Sequence, residues 1–104
     1  MIFYSYQHLK FSDNAIILRS DKSEPITRYL LASYSELEWG EYTGTHDVVI
    51  SGGIFDGNKN LDEKITIVNT VHCSNITIEN CRFRCCAHWH CIEINSTENA
   101  VIQN

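Results

Sequence analysis

The run Asn75-Ile-Thr-Ile-Glu-Asn80 returns as Asn99-Ala-Val-Ile-Gln-Asn104. Between the two copies lie two further short apolar runs, Cys81-Arg82-Phe83 and Ile92-Glu93-Ile94. A strand that comes back after one circuit of three strands marks a coiled stack, in which each turn buries its apolar face against the next. The repeat also extends backwards. Asp47-Val-Val-Ile-Ser-Gly-Gly-Ile-Phe-Asp-Gly-Asn58 aligns with the segment from Asn75 to Cys86, so Val48 matches Ile76, Ile50 matches Ile78 and Phe55 matches Phe83. The offset is 28 residues from Asp47 to Asn75 and 24 from Asn75 to Asn99. Such variation suits a solenoid, where extra residues loop out between strands.

Alternation assigns faces along each strand. Val48, Ile50, Phe55, Ile65, Ile67, Ile76, Ile78, Cys81, Phe83, Ile92, Ile94, Ala100 and Ile102 are expected to point inward. Ile65-Thr66-Ile67 is read as the counterpart of Ile92-Glu93-Ile94, one circuit earlier. Val49, Ile54 and Val101 point outward on the same logic and need cover. Asn14, Asn80 and Asn104 fall at corners, where asparagine tolerates left-handed backbone angles. Upstream, His8–Phe11 and Ala15–Leu18 flank an Asp13-Asn14 turn and form a candidate first coil. Residues 24–45 break the pattern: Pro25 interrupts, the spacing of Tyr29, Leu30 and Tyr34 is weakly helical, and Gly40 and Gly44 mark turns. They are expected to leave the stack and pack on its side. The fold expected over residues 1–104 is therefore an all-β single domain, a parallel solenoid of about three to four coils with one insertion.

The balance of charge narrows the partners. Net charge is −5, and the basic residues are scattered rather than striped, which argues against nucleic acid. No apolar run approaches membrane-spanning length. The first residues lack the charged start and long apolar middle of a signal peptide. Five cysteines, Cys73, Cys81, Cys85, Cys86 and Cys91, crowd into one region. An odd count without a secretory signal predicts free thiols packed as small core residues. The spacing of Cys85, Cys86, His88, His90 and Cys91 matches no standard zinc pattern, and no cofactor motif is present.

At Asn75-Ile-Thr-Ile-Glu-Asn-Cys-Arg-Phe-Arg84 and His46-Asp-Val-Val-Ile-Ser-Gly-Gly-Ile-Phe-Asp-Gly-Asn58 the chain resembles a right-handed parallel β-helix of the pectin-lyase-like superfamily. It is similar to polygalacturonase-like proteins (glycoside hydrolase family 28-like) and to phage or prophage tail-fibre and tailspike proteins. The resemblance covers most of residues 8–104 and specifies fold more than chemistry. It implies a polysaccharide or surface glycan as partner, homotrimeric assembly as in tailspikes, and an extracellular or virion-associated setting. The polygalacturonase signatures N-T-D, D-D, G-H-G and R-I-K are missing; Asn69-Thr70-Val71 keeps two letters of the first and lacks its acid. Because Asn104 matches Asn80, a further Cys-x-Phe strand is expected beyond it, so the chain reads as a segment of a longer β-helix.

Three acids are candidates for catalysis: Glu93, outward between Ile92 and Ile94, with Asp56 and Asp62. Glycoside hydrolysis needs two carboxyl groups about 5–9.5 Å apart. Outward acids are also what any solvated strand face carries. The loop His88-Trp89-His90 is the candidate substrate-binding element, because an indole face stacks on a sugar ring and imidazoles bond hydroxyls. Trp89 could equally pack on the body of the coil. Three functions stay open: polysaccharide recognition, a glycoside hydrolase or lyase fragment, and an assembly segment without activity.

Overall fold

The computed structural model describes residues 1–104 and is all-β. Its eleven strands are β1 (Ile2–Phe3), β2 (His8–Lys10), β3 (Ile16–Leu18), β4 (Tyr29–Ser33), β5 (His46–Ser51), β6 (Ile54–Asp56), β7 (Thr66–Val71), β8 (Ser74–Glu79), β9 (Arg82–Arg84), β10 (Ile92–Asn95) and β11 (Glu98–Gln103). The chain visits three sheets in fixed rotation. Sheet A has the order β1-β4-β7-β10, sheet B β2-β5-β8-β11 and sheet C β3-β6-β9. Every pairing is parallel.

Like residues stack because the register places them one above another. Val48 pairs with Ile76 and Ile76 with Ala100, while Ile50 pairs with Ile78 and Ile78 with Ile102. In sheet C, Ile17 pairs with Phe55 and Phe55 with Phe83. The two phenyl rings stack at 5.5 Å between centroids and 19° between planes. Val48, Ile50, Phe55, Ile65, Ile67, Ile76 and Ile78 are all buried. Burying each such side chain stabilises the fold by about 1.5–3 kcal/mol. Ala100 and Ile102 keep the expected register, but β11 is the last strand of sheet B and Ile102 stays 55% exposed.

The corners are built from backbone that most residues avoid. Tyr6, Asp47, Asn75 and Asn99 occupy equivalent positions and all have positive φ, 66°, 56°, 54° and 56°. The Asn99 amide donates to Asn75 Oδ1 at 3.1 Å, and the Asn75 amide donates to Asp47 Oδ1 at 3.3 Å. This ladder ties successive circuits through side chains suited to left-handed backbone. At the next corner Gly52 (φ 76°) lies beneath Asn80 (φ 55°). A Cβ on Gly52 would meet the Phe11 carbonyl oxygen at 2.1 Å, so no other residue fits there.

Three expectations need correction. Residues 24–45 are not a lateral insertion throughout: Tyr29–Ser33 is β4, inside sheet A, paired with both β1 and β7. Its sequence hides this because Leu30 and Leu31 are adjacent and both buried, which erases the alternation of a half-exposed strand. Residues 24–28 belong to the connection that leads into β4, and residues 34–45 form the loop that follows it. Second, Ile92-Glu93-Ile94 lies against Val68-Asn69-Thr70 rather than Ile65-Thr66-Ile67. The run Ile65-Thr66-Ile67-Val68 is wholly buried, so its apolar pattern does not fix the register. Third, Cys86 and Cys91 form a disulfide, leaving Cys73, Cys81 and Cys85 free. The odd count said only that not every cysteine pairs.

Candidate functional site

The connections from sheet C to sheet A stack on one corner of the molecule. They are residues 19–28 before β4, 57–65 before β7 and 85–91 before β10. Arg19 opens the first of them. It is fully buried, and its guanidinium donates to the Thr27 carbonyl at 2.7 Å, the Glu63 carbonyl at 2.9 Å and the Lys64 carbonyl at 3.0 Å. Burial lowers the Arg19 pKa while the Glu63 carboxylate opposes that shift. Three charge-assisted bonds to carbonyls compensate the lost hydration. One buried cation thus clamps the ends of two connections at the base of the site.

The third connection lies along the second as an added ribbon. Ile65 N donates to Ala87 O at 3.0 Å, Ile67 N to His90 O at 3.2 Å and Val68 N to Cys91 O at 3.0 Å. Within it, Trp89 N donates to Ala87 O at 2.8 Å, and the Cys86–Cys91 disulfide closes the loop around His88, Trp89 and His90. The aromatic loop is therefore fixed at both ends and along its length.

On this base the side chains converge. Trp89 is half-buried, with Tyr29 at 6.0 Å between ring centroids. Arg28 Cζ lies 6.0 Å and Lys64 Nζ 5.9 Å from the Trp89 ring centre, at the outer limit of cation–π attraction. Tyr29, Trp89, His90 and Glu93 line a shallow open cavity of about 190 Å³. Glu93 is half-buried, and Thr66 Oγ1 donates to its Oε2 at 3.4 Å. Thr66 therefore touches Glu93 although it is not its partner in the sheet.

The remaining expected residues fall elsewhere. His88 turns from the cavity and pairs with Asp62, Nε2 to Oδ1 at 2.5 Å. Both side chains are largely exposed, so the pair carries little energy. Asp56 belongs to sheet C and engages Arg84 at 2.7 Å, while also accepting the Asn58 N–H at 2.8 Å. Burial alone would raise the Asp56 pKa, but the Asn58 N–H, the Arg84 guanidinium and the Cys85 thiol outweigh it and hold the carboxyl below its ordinary range. Glu93 is thus the one carboxylate lining the Trp89 cavity. Tyr29, Arg28, Lys64 and Arg19 were not among the expected site residues. The signal that could have found Arg28 and Lys64 is position, since Arg28 directly precedes β4 and Lys64 lies two residues before β7 begins, both in sheet A.

No described protein family matches the chain, and no solved structure matches it. The chain is similar to plasmin and fibronectin-binding protein A of Streptococcus pneumoniae, with 27% identity over 118 residues. That alignment covers 96% of this chain and 16% of the relative's length.

Proposed function

We propose that this chain is a segment of a right-handed parallel β-helix that recognises a polysaccharide through the corner built around Trp89. The observation that carries this reading is the cavity lined by Tyr29, Trp89, His90 and Glu93. It joins two aromatic faces to a carboxylate and an imidazole on a rigid backbone. At about 190 Å³ it is smaller than the pockets that enclose whole ligands, and it is open. Those dimensions suit one ring of an extended chain lying along the surface. Aromatic rings meet the apolar face of a sugar, while Glu93 accepts from hydroxyls and His90 donates to them. The strict A-to-B-to-C rotation and the corner ladder support the β-helix assignment.

Recognition is favoured over hydrolysis because Glu93 has no second acid across the cavity, whereas cleavage needs a pair of carboxyl groups. A second reading rests on the pneumococcal relative, whose name describes binding to plasmin and fibronectin. In that reading the chain is an adhesive segment whose partner is a protein. One experiment separates them. Trp89→Ala is expected to lose retention on a polysaccharide array by about tenfold or more, with its circular dichroism spectrum unchanged. Equal retention by the variant would remove Trp89 from the site. Retention of fibronectin or plasmin by both proteins, with no glycan bound by either, would favour the adhesive reading.

A further inference from the structure

A second aromatic surface lies at a different corner, where the chain passes from sheet A to sheet B. Two connections build it, the turn Tyr4–Gln7 before β2 and the loop Tyr34–Thr45 before β5. Tyr4 and Tyr34 stack at 5.0 Å between centroids, and Trp39 meets Tyr34 edge-on at 5.4 Å. Tyr6 packs edge-on against His46 at 4.8 Å yet remains 79% exposed. Tyr4 and Tyr42 are about half exposed as well. The exposed rings of Tyr4, Tyr6 and Tyr42, beside half-buried Tyr34 and Trp39, form a contact surface at one corner, because burial elsewhere would be the favoured fate of such rings.

The surface is rigid. Tyr6 N donates to His46 O at 3.1 Å, and His46 N donates to Ser5 Oγ at 3.0 Å, which binds the turn to the loop. Thr45 Oγ1 donates to Tyr34 O at 2.8 Å, and His72 Nδ1 donates to Glu41 O at 2.9 Å. Trp39 sits over Gly44, where an added Cβ would come within 3.0 Å of its ring. The backbone that carries the rings is therefore fixed before binding, which lowers the ordering cost.

Charge selects the partner. Glu36, Glu38 and Glu41 rise from the same loop, and no Lys or Arg occurs from Tyr29 to Asn58. The ion pairs of the structure are His46–Asp47, Arg84–Asp56 and His88–Asp62, so none of these three glutamates is neutralised. Glu36 accepts the Tyr34 hydroxyl at 2.7 Å, which places its carboxylate at the ring edge. Aromatic faces edged by free carboxylates attract a cation twice over, through ring quadrupoles and through charge-assisted hydrogen bonds. The geometry points to a docking surface for a Lys/Arg-rich peptide segment of a protein partner, formed by Tyr4, Tyr6, Tyr34 and Trp39 with Glu36, Glu38 and Glu41. It is distinct from the Trp89 cavity and does not depend on what that cavity binds.

The test is a titration of the 104-residue chain with hexa-arginine, hexa-lysine and a neutral Gly/Ser hexapeptide, followed by amide NMR shifts. Expected are shifts confined to Tyr4–Gln7 and Tyr34–Asp47 with the cationic peptides alone. The triple variant Glu36→Gln/Glu38→Gln/Glu41→Gln is expected to bind at least about tenfold more weakly, and Tyr6→Ala several-fold more weakly. Trp89→Ala is expected to bind hexa-arginine as the parent does. Equal affinity in the triple variant, shifts centred on His90 and Glu93, or no binding would each overturn the proposal. A neutral oligosaccharide that moved the Tyr4 and Tyr34 resonances while the cationic peptides did not would overturn it in favour of a glycan subsite.

Discussion

Replacing Arg19 by Met tests the clamp at the base of the Trp89 site. Methionine keeps much of the apolar stem, so packing changes little, and the loss is chiefly three hydrogen bonds. Those bonds run to Thr27, Glu63 and Lys64 carbonyls at 2.7, 2.9 and 3.0 Å from a fully buried guanidinium. Bonds to a charged group contribute about 1.5–3 kcal/mol each, and carbonyls left unpartnered add a desolvation penalty. The terms are not additive, and desolvation of the cation offsets part of them. A net loss of about 3–5 kcal/mol is expected, comparable with the whole stability of many small domains at about 5–15 kcal/mol. Arg19→Lys keeps the charge but cannot span three divergent carbonyls, and should lose roughly half as much. Urea unfolding followed by circular dichroism measures both, and tryptophan fluorescence of the folded variants in a Trp39→Phe background reports the Trp89 loop. If Arg19→Met unfolded within about 0.5 kcal/mol of the parent, the clamp would be energetically idle and the argument for it would fail.

Ile78 lies between Ile50 and Ile102 and is buried; Ile78→Asp places an unpaired charge in the stack and is expected to cost about 4 kcal/mol or more. A variant that kept its melting temperature would refute the inward assignment. The Asp56 carboxyl, held below its ordinary pKa, contributes stability above about pH 4 that is lost as pH falls through its folded value. Asp56→Asn should therefore be less stable at neutral pH and show a flatter acid limb; parallel limbs would contradict the Arg84 pairing. Cys86→Ser/Cys91→Ser opens a loop of sequence separation 5 and should lower stability by about 2 kcal/mol while weakening glycan retention. Titration of the unfolded, unreduced parent should find the three free thiols, and a count of five would reject the disulfide.

The stacking order was legible because it depends on a local pattern repeated at an interval. Val48, Ile76 and Ala100 recur at matching places in the repeat, as do Phe55 and Phe83, and the pairings match. The pattern is lost where burial hides the period. Leu30-Leu31 and Ile65-Thr66-Ile67-Val68 are covered on both faces, so alternation vanishes and with it both strand identity and register. At the site, His88, Trp89, His90 and Glu93 drew notice because they are close in sequence. Tyr29, Arg28 and Lys64 did not, since each lies a full circuit or more away. Asp56 and Asp62 were grouped with Glu93 by residue type, and the structure sends one to sheet C and binds the other to His88.

By itself the sequence determined that this chain coils, which residues stack and where asparagine turns the corner. Those properties follow from side-chain periodicity and backbone preference, both of which are local. Tertiary structure alone decided that Arg19 is buried beneath two connections, that Cys86 reaches Cys91, and that rings from Tyr29 and Trp89 share one cavity. The Arg19 clamp and the meeting of Tyr29 with Trp89 depend on the rotation among three sheets, which stacks successive circuits about 4.8 Å apart, whereas the disulfide depends on how residues 85–91 turn back on themselves.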